Sequence, residues 1–368
     1  MPLATRTLYT SGGANTASAQ AHDFTAPPLQ ILDCPKKPAT RMLRGSGTAC
    51  PLKDTMTKIA IIQRPPVLLD RSATLGKAVQ WVAEAAAAGA SLIVFPESFV
   101  PGYPSWIWRL AAGRDGAVMG QLHARLLANA VDVAADDLAA LCEAARVHRV
   151  TIVCGINERD SAQGGGTLYN SVVVIGPDGT LLNRHRKLMP TNPERMVHGL
   201  GDASGLRAVD TPAGRVGCLI CWENYMPLAR YALYAQGVEI YVAPTYDSGD
   251  AWISTMRHIA LEGRCWVVGS GTALRATDIA PDFPARATLF PDAEEWVNDG
   301  DSVVVDPTGK IVAGPLRREA GILYAEIDVA RVAPSRRTLD VTGHYARTDI
   351  FDLQVRRAPA TPVRFVDG

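Results

Sequence analysis

A regular alternation of strand-like and helix-like segments begins at Met56, and it limits the folds open to this chain more than any other feature. Short apolar runs such as KIAIIQ and SLIVFPE are typical of buried strands, and segment 72–90 between them has the 3.6-residue period of a helix. Hairpins are predicted over 168–188, around the turn sequence PDG, and over 301–315. Further strands are predicted at 150–158, 216–222, 238–244, 265–271 and 321–328. This alternation favours a single layered α/β domain.

Composition and patterning divide the chain into three parts. Residues 1–55 are rich in Ser, Thr, Ala, Gly and Pro and lack a sustained period, which predicts a disordered extension. Residues 56–330 carry the alternation and form the predicted domain, and residues 331–368 form a C-terminal extension that we expect to pack at a subunit interface. Because Met56 directly precedes the first clean strand, we interpret the segment before it as an artificially early start.

The overall charge and the cysteines argue against several classes of protein. Lys plus Arg and Asp plus Glu number 37 each, so no net charge attracts the chain to nucleic acid or to an acidic membrane. No apolar run approaches the roughly 18 residues that a membrane span needs. The seven cysteines are an odd number without the spacing of a disulfide framework, which favours reduced thiols. We therefore expect a soluble cytoplasmic protein with neither nucleic-acid nor membrane partners.

Cys221 stands where the predicted strand 216–222 gives way to a helix. A cysteine on such a turn lies near free backbone N–H groups and the positive end of a helix dipole, which favours a thiolate. In a regular strand, Cys218 would point to the opposite side of the sheet. Two other interpretations stay open: a small buried hydrophobic residue, and a redox or zinc site, although no second pair of zinc ligands has suitable spacing.

Two further segments place charged residues at strand ends. Glu97 follows an apolar strand, and partial burial there would raise its pKa and suit it to act as a general base. A loop or helix-capping carboxylate is an equally good interpretation of Glu97. Lys187 ends a polar strand within RHRKLMPTNPER, and Glu194 lies in the loop beyond it. A lysine in such a basic cluster is usually a surface charge, so its significance depends on its companions.

Taken together and in this order, the motifs FPESFVPGYP, HRKLMPTNPER and CWEN resemble those of the nitrilase family of carbon–nitrogen hydrolases. The resemblance continues through YAQGVEIYVAPTYD and HIALEGRCWVVGSG and covers about residues 57–315. It implies an α/β fold, a single-domain α-β-β-α sandwich that forms four layers. It also implies a homo-oligomer in which dimers build larger assemblies, and an active site that needs no metal or cofactor.

The resemblance also implies a role for each of four residues. Cys221 would attack the carbon of a small-molecule nitrile, and Glu97 would take the thiol proton and later activate water. Lys187, with the backbone N–H of Trp222, would stabilise the negative charge that develops. Glu194 would position the substrate and couple to the lysine. The implied enzyme is a nitrilase that releases a carboxylic acid and ammonia through a thioimidate and a thioester.

Five residues are candidates for binding the substrate: Tyr103, Trp222, Thr245, Tyr246 and His198. Simple packing in the core is the alternative for each of them. The family varies near the His198 position in ways linked to substrate size. Asn224 follows CWE where many bacterial nitrilases have histidine, and CWENYMPLAR followed by GVEIYVAPTYD is similar to plant-like and related bacterial forms. The substrate is therefore not inferred from the better-known aromatic or arylacetonitrile groups.

Two rival functions remain from the sequence. An aliphatic amidase or a cyanide-hydrolysing enzyme would use the same Glu-Lys-Cys scaffold. A thiol redox or metal-binding protein would instead depend on Cys218 as much as on Cys221. A catalytically dead assembly subunit is disfavoured, because every expected catalytic residue is present.

A chain truncated to begin at Met56 is expected to fold and to keep its activity, because no predicted element precedes that residue. Urea denaturation should give both chains the same free energy of unfolding, within the roughly 10–15% uncertainty of the extrapolation. Failure of the shorter chain to fold, or loss of its ammonia release from nitriles, would show that the extension belongs to the domain.

Overall fold

A computed structural model describes residues 56–161, 164–359, 363 and 366, so the predictions made for residues 1–55 lie outside the described part. The strands of the described residues are β1 (Met56–Gln63), β2 (Leu92–Val94), β3 (Thr151–Arg159), β4 (Leu168–Ile175), β5 (Leu181–Arg186), β6 (Ala208–Thr211), β7 (Gly214–Cys218), β8 (Ile240–Thr245), β9 (Trp266–Gly271), β10 (Ala273–Arg275), β11 (Trp296–Val305), β12 (Ile311–Arg317) and β13 (Gly321–Asp328). The α-helices are α1 (Arg71–Ala87), α2 (Gly116–Asn129), α3 (Ala139–His148), α4 (Pro227–Tyr234), α5 (Asp250–Gly263), α6 (Arg286–Leu289) and α7 (Val332–Arg336).

The strands form two sheets, each with a parallel centre. The first sheet has the order β13-β1-β2-β3-β4-β5, in which β1, β2 and β3 run parallel. The second has the order β10-β11-β9-β8-β7-β6, with β12 paired to β11, and β7, β8 and β9 run parallel. Glu97 follows β2 and Cys221 follows β7, so both lie beyond the carboxyl ends of parallel strands, where α/β sheets place their ligands.

Helices cover the outer face of each sheet. Apolar side chains of α1 and α3 pack on the first sheet, and those of α4 and α5 pack on the second. The inner faces meet in a core of mainly β-branched residues, which include Ile59, Val94, Val216 and Val242. Strand residues alternate between these two environments because neighbouring side chains point to opposite faces. The result is the predicted α-β-β-α sandwich.

Several boundaries differ from the sequence predictions. The strand predicted over 91–97 is only three residues long, because the chain leaves the sheet before Pro96 and turns toward the site. The strand predicted over 216–222 ends at Cys218. The opposite orientation of Cys218 and Cys221 was predicted for a regular strand that contains both residues, and no such strand is present. Both residues pack in the core between the sheets. The sequence predictions did not include α2, β6, β10, α6 or α7.

The C-terminal residues leave the sandwich gradually. Val332 in α7 is buried in the core between the sheets, and Arg336 donates a hydrogen bond to the carbonyl of Val238 at 2.5 Å. Beyond α7, large apolar side chains are open to solvent, including Tyr345 and Phe351. Among the described residues, no helix combines the length and the apolar character that a bilayer crossing requires.

Gly155 in β3 allows the segment that carries Glu97 to lie against the sheet. A Cβ atom at this position would collide with the carbonyl oxygen of Pro96 and lie 2.6 Å from the backbone nitrogen of Ser98. Neither is the end of a flexible side chain, so Gly155→Ala should shift the Glu97 segment. We expect a loss of about 1–3 kcal/mol in the free energy of unfolding, measured by urea denaturation, together with reduced activity.

Gly76→Ala in α1 is the matched control for this substitution. No atom lies within 4 Å of the Cβ position of Gly76, and alanine is favoured over glycine in a helix by roughly 0.5–1 kcal/mol. The control should therefore be neutral or stabilising. Equal effects of the two substitutions would contradict a specific role for the small residue at Gly155.

Candidate active site

Glu97 is fully buried and receives three hydrogen bonds. Its Oε1 accepts from Lys187 Nζ at 2.8 Å and from Asn170 Nδ2 at 2.7 Å, and its Oε2 accepts from the backbone N–H of Tyr246 at 2.6 Å. Burial raises the pKa of Glu97, and the positive charge of Lys187 opposes that rise without cancelling it. A carboxyl with a raised pKa is well suited to exchange protons near neutral pH.

Lys187 directly follows β5, and its ammonium group is buried between two carboxylates. Besides Glu97, it donates to both oxygens of Glu194, at 3.0 and 2.8 Å. Burial alone would lower the pKa of Lys187, but the negative charges of Glu97, Cys221 and Glu194 outweigh it and raise the pKa above its usual value. The lysine therefore stays positively charged. The prediction of a lysine with charged companions agrees with this geometry, whereas the surface alternative does not.

Glu194 lies in a short 3-10 helix, Asn192–Met196, and is held as a carboxylate. Its Oε1 accepts from the hydroxyl of Tyr103 at 2.7 Å, and its Oε2 accepts from the backbone N–H of Thr191 at 2.9 Å. Burial would raise the pKa of Glu194, but Lys187 and these hydrogen bonds outweigh burial and lower it. Glu97 and Glu194 therefore share one cation but differ in their affinity for a proton.

Cys221 lies in a sharp turn rather than at the end of a regular strand. It begins a 3-10 helix, Cys221–Tyr225, and its backbone is in the left-handed region with φ of 51°. Such a conformation costs a non-glycine residue about 1–3 kcal/mol. Asn224 stabilises the turn by donating from Nδ2 to the carbonyls of Cys221 at 2.7 Å and Leu219 at 3.1 Å.

The environment of Cys221 favours the thiol, which corrects the expectation of a thiolate. Burial raises the pKa of Cys221, and the charges of Glu97 and Glu194 raise it further. The charge of Lys187 and a hydrogen bond with Thr245 act in the opposite direction but are weaker. The helix dipole cannot compensate, because the 3-10 helix has five residues and α4 begins only at Pro227. For Cys221 to act as a nucleophile, a base would therefore have to remove its thiol proton.

A cavity of about 150 Å³ lies beside the turn that carries Cys221. Its lining residues are Tyr103, Trp108, Thr191, Glu194, Cys221, Trp222, Tyr246 and Asp247. The rings of Tyr103 and Tyr246 stack face to face with centroids 3.8 Å apart, and together they form an aromatic wall of the cavity. Trp222 is 52% exposed, and its Nε1 donates to Asp247 Oδ2 at 2.9 Å at the rim. The cavity is narrow, aromatic and negatively charged at its mouth.

Three of the five candidate substrate-binding residues, Tyr103, Trp222 and Tyr246, line this cavity. Thr245 is buried beside the sulfur of Cys221 and is not among the lining residues. His198 is also buried and absent from the lining, and its Nε2 lies 2.9 Å from Oδ1 of Asn157. Burial lowers the pKa of His198 to about 4, so the ring is neutral above that pH.

Sequence reasoning missed several residues that shape the site. Asn170 on β4 holds Glu97, and Trp108 donates from Nε1 to the Tyr103 hydroxyl at 3.2 Å. Asp247 forms the acidic rim. Asn170 and Trp108 lie outside the family motifs, and Asp247 ends the motif YAQGVEIYVAPTYD without being singled out as a site residue. Glu223 belongs to the motif CWEN but received no role, although a charged residue inside the apolar turn after Cys221 needs a partner.

No group of three or more His, Cys, Asp or Glu side chains within residues 56–161 and 164–359 is arranged to hold a metal ion. The charged groups beside the cavity are instead paired with one another, Lys187 with Glu97 and Glu194. The arrangement of a buried base, a buried cation and a thiol beside a cavity suits nucleophilic catalysis with proton transfer.

Residues 58–337 match the family model of carbon-nitrogen hydrolases, and the chain belongs to that family. An aliphatic nitrilase of Sinorhizobium fredii (strain HH103) is 42% identical over 84% of this chain and 98% of its own length. A bifunctional nitrilase/nitrile hydratase of Nicotiana tabacum is 40% identical over 84% of this chain and 88% of its own length. For Nitrilase 1 of Arabidopsis thaliana the identity is 39%, over 85% of this chain and 90% of that protein.

Solved structures share the fold. The carbon-nitrogen hydrolase from Helicobacter pylori G27 superposes with a TM-score of 0.62 at 20% identity, covering 81% of this chain and 97% of that chain. Nit3 of Saccharomyces cerevisiae, a member of branch 10 of the nitrilase superfamily, gives 0.59 at 21% identity and covers 81% and 99%. The matches confirm the predicted nitrilase family, the predicted fold class and a hydrolase that acts on carbon–nitrogen bonds.

Replacing Lys187 by methionine should destabilise the protein in a pH-dependent way. The two buried carboxylates lose their cation, which typically costs about 3–5 kcal/mol. In the wild type, the lowered pKa of Glu194 adds stability above the unfolded value of 4.5 and withdraws it as the pH falls. In the variant, the pKa values of both carboxyl groups rise above the unfolded value, so the folded state binds extra protons. The loss in the free energy of unfolding is therefore larger at pH 8 than at pH 5.5. Urea denaturation at both pH values measures it.

Two further variants make this test specific. Adding Glu194→Gln to Lys187→Met should recover much of the stability, because one unpaired charge is gone. Arg146→Met removes a cation from an exposed ion pair with Glu143 and should cause no measurable loss at either pH. An equal loss from Lys187→Met at pH 8 and pH 5.5 would contradict the assignment of Lys187 as the neutralising charge.

Proposed function

We propose that this protein is a nitrilase that converts an organic nitrile and two molecules of water into a carboxylic acid and ammonia. The observation that carries the proposal is the placement of Lys187 within 3.0 Å of both Glu97 and Glu194, beside the Cys221 cavity. The identity of 42% to an aliphatic nitrilase supports nitriles as the substrate class. Family membership is consistent with the same choice.

The first half of the proposed reaction forms a thioimidate. Glu97 removes the proton of the Cys221 thiol while the sulfur attacks the nitrile carbon, and the proton passes to the nitrile nitrogen. Lys187 stabilises the negative charge that builds on that nitrogen, together with the backbone N–H of Trp222. A base with a raised pKa suits this step, because the thiol of Cys221 is itself reluctant to ionise.

The second half consumes both water molecules. Glu97 activates the first water, which adds to the thioimidate carbon, and the resulting tetrahedral intermediate expels ammonia after its nitrogen receives a proton. A thioester remains, and the second water cleaves it to the acid and the free thiol. Expulsion of the thiolate instead of ammonia would release an amide. The name of the tobacco relative, a bifunctional nitrilase/nitrile hydratase, makes that side route worth measuring here.

The substrate occupies the cavity between the aromatic wall and the acidic rim in this proposal. Tyr103 and Tyr246 would contact the apolar part of the nitrile, and Trp222 would close the open side. Glu194 would position Lys187 and, through Tyr103, the wall itself. Thr245 and His198 would act from behind the lining, on Cys221 and Asn157 respectively.

We also propose that the protein assembles as a homo-oligomer in the cytoplasm. Leu228 of α4 and Tyr345, Ile350 and Phe351 of the C-terminal segment expose large apolar surface around a groove of about 600 Å³. Such a patch is typical of an interface. The five described cysteines are free thiols, which is consistent with a reducing compartment.

Ammonia release from a panel of aliphatic, aromatic and arylaliphatic nitriles, with matching amides and cyanide, tests the function. We expect turnover of nitriles to acids by the wild type and a loss of at least about 10³-fold in Cys221→Ala, Glu97→Gln and Lys187→Ala. Cys218→Ala is the matched control, because that thiol is buried in the same core and should be dispensable for activity.

Three outcomes would contradict the proposal. Turnover of amides or cyanide alone would move the protein to a sister activity on the same residues. Loss of function in Cys218→Ala as complete as in Cys221→Ala would favour a protein that uses both thiols. Substantial residual turnover in Cys221→Ala would remove the nucleophile from the mechanism.

A further inference from the structure

Glu223, two residues after Cys221, is a buried carboxylate that the proposed reaction does not use. Its Oε2 accepts the backbone N–H of Ile220 at 2.7 Å, and its Oε1 accepts the backbone N–H of Leu188 at 2.6 Å. Nε2 of His185 lies 3.1 Å from both oxygens. His185 and Glu223 are both excluded from solvent. The carboxylate is therefore saturated with donors inside the protein.

The positions of these donors are informative. Ile220 directly precedes the nucleophile Cys221, and Leu188 directly follows Lys187. His185 lies on β5, two residues before Lys187. One side chain thus holds the backbone next to the cysteine and the backbone next to the lysine. From this geometry we propose that Glu223, oriented by His185, is a positioning residue that sets the separation between Cys221 and Lys187.

The fold explains why such a connection is needed. Lys187 follows β5, the edge strand of the first sheet, which has a neighbour only on the side of β4. Cys221 follows β7 in the second sheet, so no strand ladder joins the two residues. The left-handed backbone of Cys221 also costs energy and must be held in place. The carboxylate of Glu223 connects the two segments, because it accepts hydrogen bonds from the backbone of both.

The geometry also dictates which substitutions disrupt the connection. The two backbone N–H groups bond to different oxygens of Glu223, and a glutamine at this position has only one acceptor oxygen, so one of the N–H groups would face an amide N–H₂. At position 185, glutamine can still donate to the carboxylate, whereas leucine cannot. Glu223→Gln should therefore separate the two segments, His185→Leu should loosen them, and His185→Gln should largely preserve them.

This inference rests on the proposed nitrile reaction. That reaction supplies a readout, the amide fraction of the product, that a general loss of stability does not change. Ammonia leaves the tetrahedral intermediate only if a proton reaches the nitrogen, and Lys187 holds Glu97, the proton donor, in place. Loss of the thiolate needs no such transfer. A shift of Lys187 relative to Cys221 should therefore raise the amide fraction of the product as well as lower the rate.

The experiment compares kcat, KM and the amide-to-acid ratio for the wild type and the three variants. We expect Glu223→Gln to lower kcat about 10- to 100-fold, because misplacement by about 1 Å can cost 10²-fold, with KM nearly unchanged and a raised amide fraction. His185→Leu should show a smaller change of the same kind, and His185→Gln should restore both kcat and the product ratio.

Asp306→Asn is the matched control for Glu223→Gln. Asp306 is also a buried carboxylate that accepts backbone N–H groups, those of Thr308 and Lys310 in the turn between β11 and β12. It also pairs with Arg331, at 2.8 Å, and it has no contact with Cys221 or Lys187. The Asp306→Asn variant should be less stable than the wild type but should have the same kcat and the same amide fraction. A Glu223→Gln variant that behaves like Asp306→Asn would overturn the proposal, and so would His185→Gln performing no better than His185→Leu.

A second readout separates failure of this inference from failure of the proposed function. Alkylation of Cys221 by iodoacetamide, followed by mass spectrometry, needs no nitrile turnover. If the wild type is inactive on every nitrile, the proposed function fails, yet an altered alkylation rate in folded His185→Leu, restored in His185→Gln, would still support the positioning role. Alkylation of both histidine variants at the wild-type rate would overturn it.

Discussion

The buried ammonium group of Lys187 has to neutralise two carboxylates, those of Glu97 and Glu194, and the rest of the site depends on that shortage of positive charge. Glu97 comes from one segment of the chain, and Lys187 and Glu194 come from another, in which they are seven residues apart. An unpaired ion in such surroundings costs several kcal/mol, so none of the segments can be displaced alone without leaving a charge uncompensated. The electrostatics that poise the site for chemistry also hold the loops around the cavity together.

The two carboxylates are made different by their hydrogen bonds. Glu194 accepts from Tyr103, Thr191 and the lysine, and it remains ionised. Glu97 is also buried, but its pKa is raised even though Lys187 contacts it. In the proposed reaction, two acids of the same type therefore receive separate roles from their environments, one as a fixed charge and one as a proton carrier. The raised pKa of the Cys221 thiol makes that proton carrier necessary.

Sequence reasoning selected Glu97, Lys187 and Cys221 because strand ends are visible in the pattern, and the structure brings these three residues together. Glu97 follows an apolar run that could only be a buried strand, and Lys187 and Cys221 end two others. The same reasoning expected a thiolate at Cys221, whereas burial and the nearby carboxylates raise the pKa of this thiol. It treated the turn as the start of a long helix, whereas the nearest helix of any length is α4, which begins at Pro227. Burial and two nearby carboxylates decide the pKa there, and neither can be read from local sequence.

Hydrophobic periodicity alone determined the layered α/β architecture, because period-2 and period-3.6 patterns specify which faces must be buried. The three motifs FPESFVPGYP, HRKLMPTNPER and CWEN, in that order, were enough to indicate the family of the chain. The tertiary structure decided which polar groups meet: Asn170 with Glu97, Tyr103 with Glu194, and Glu223 with the backbone on both sides of the site. These contacts join residues that are up to 91 positions apart. They depend on the packing of two sheets and their loops, and no local propensity encodes that distance.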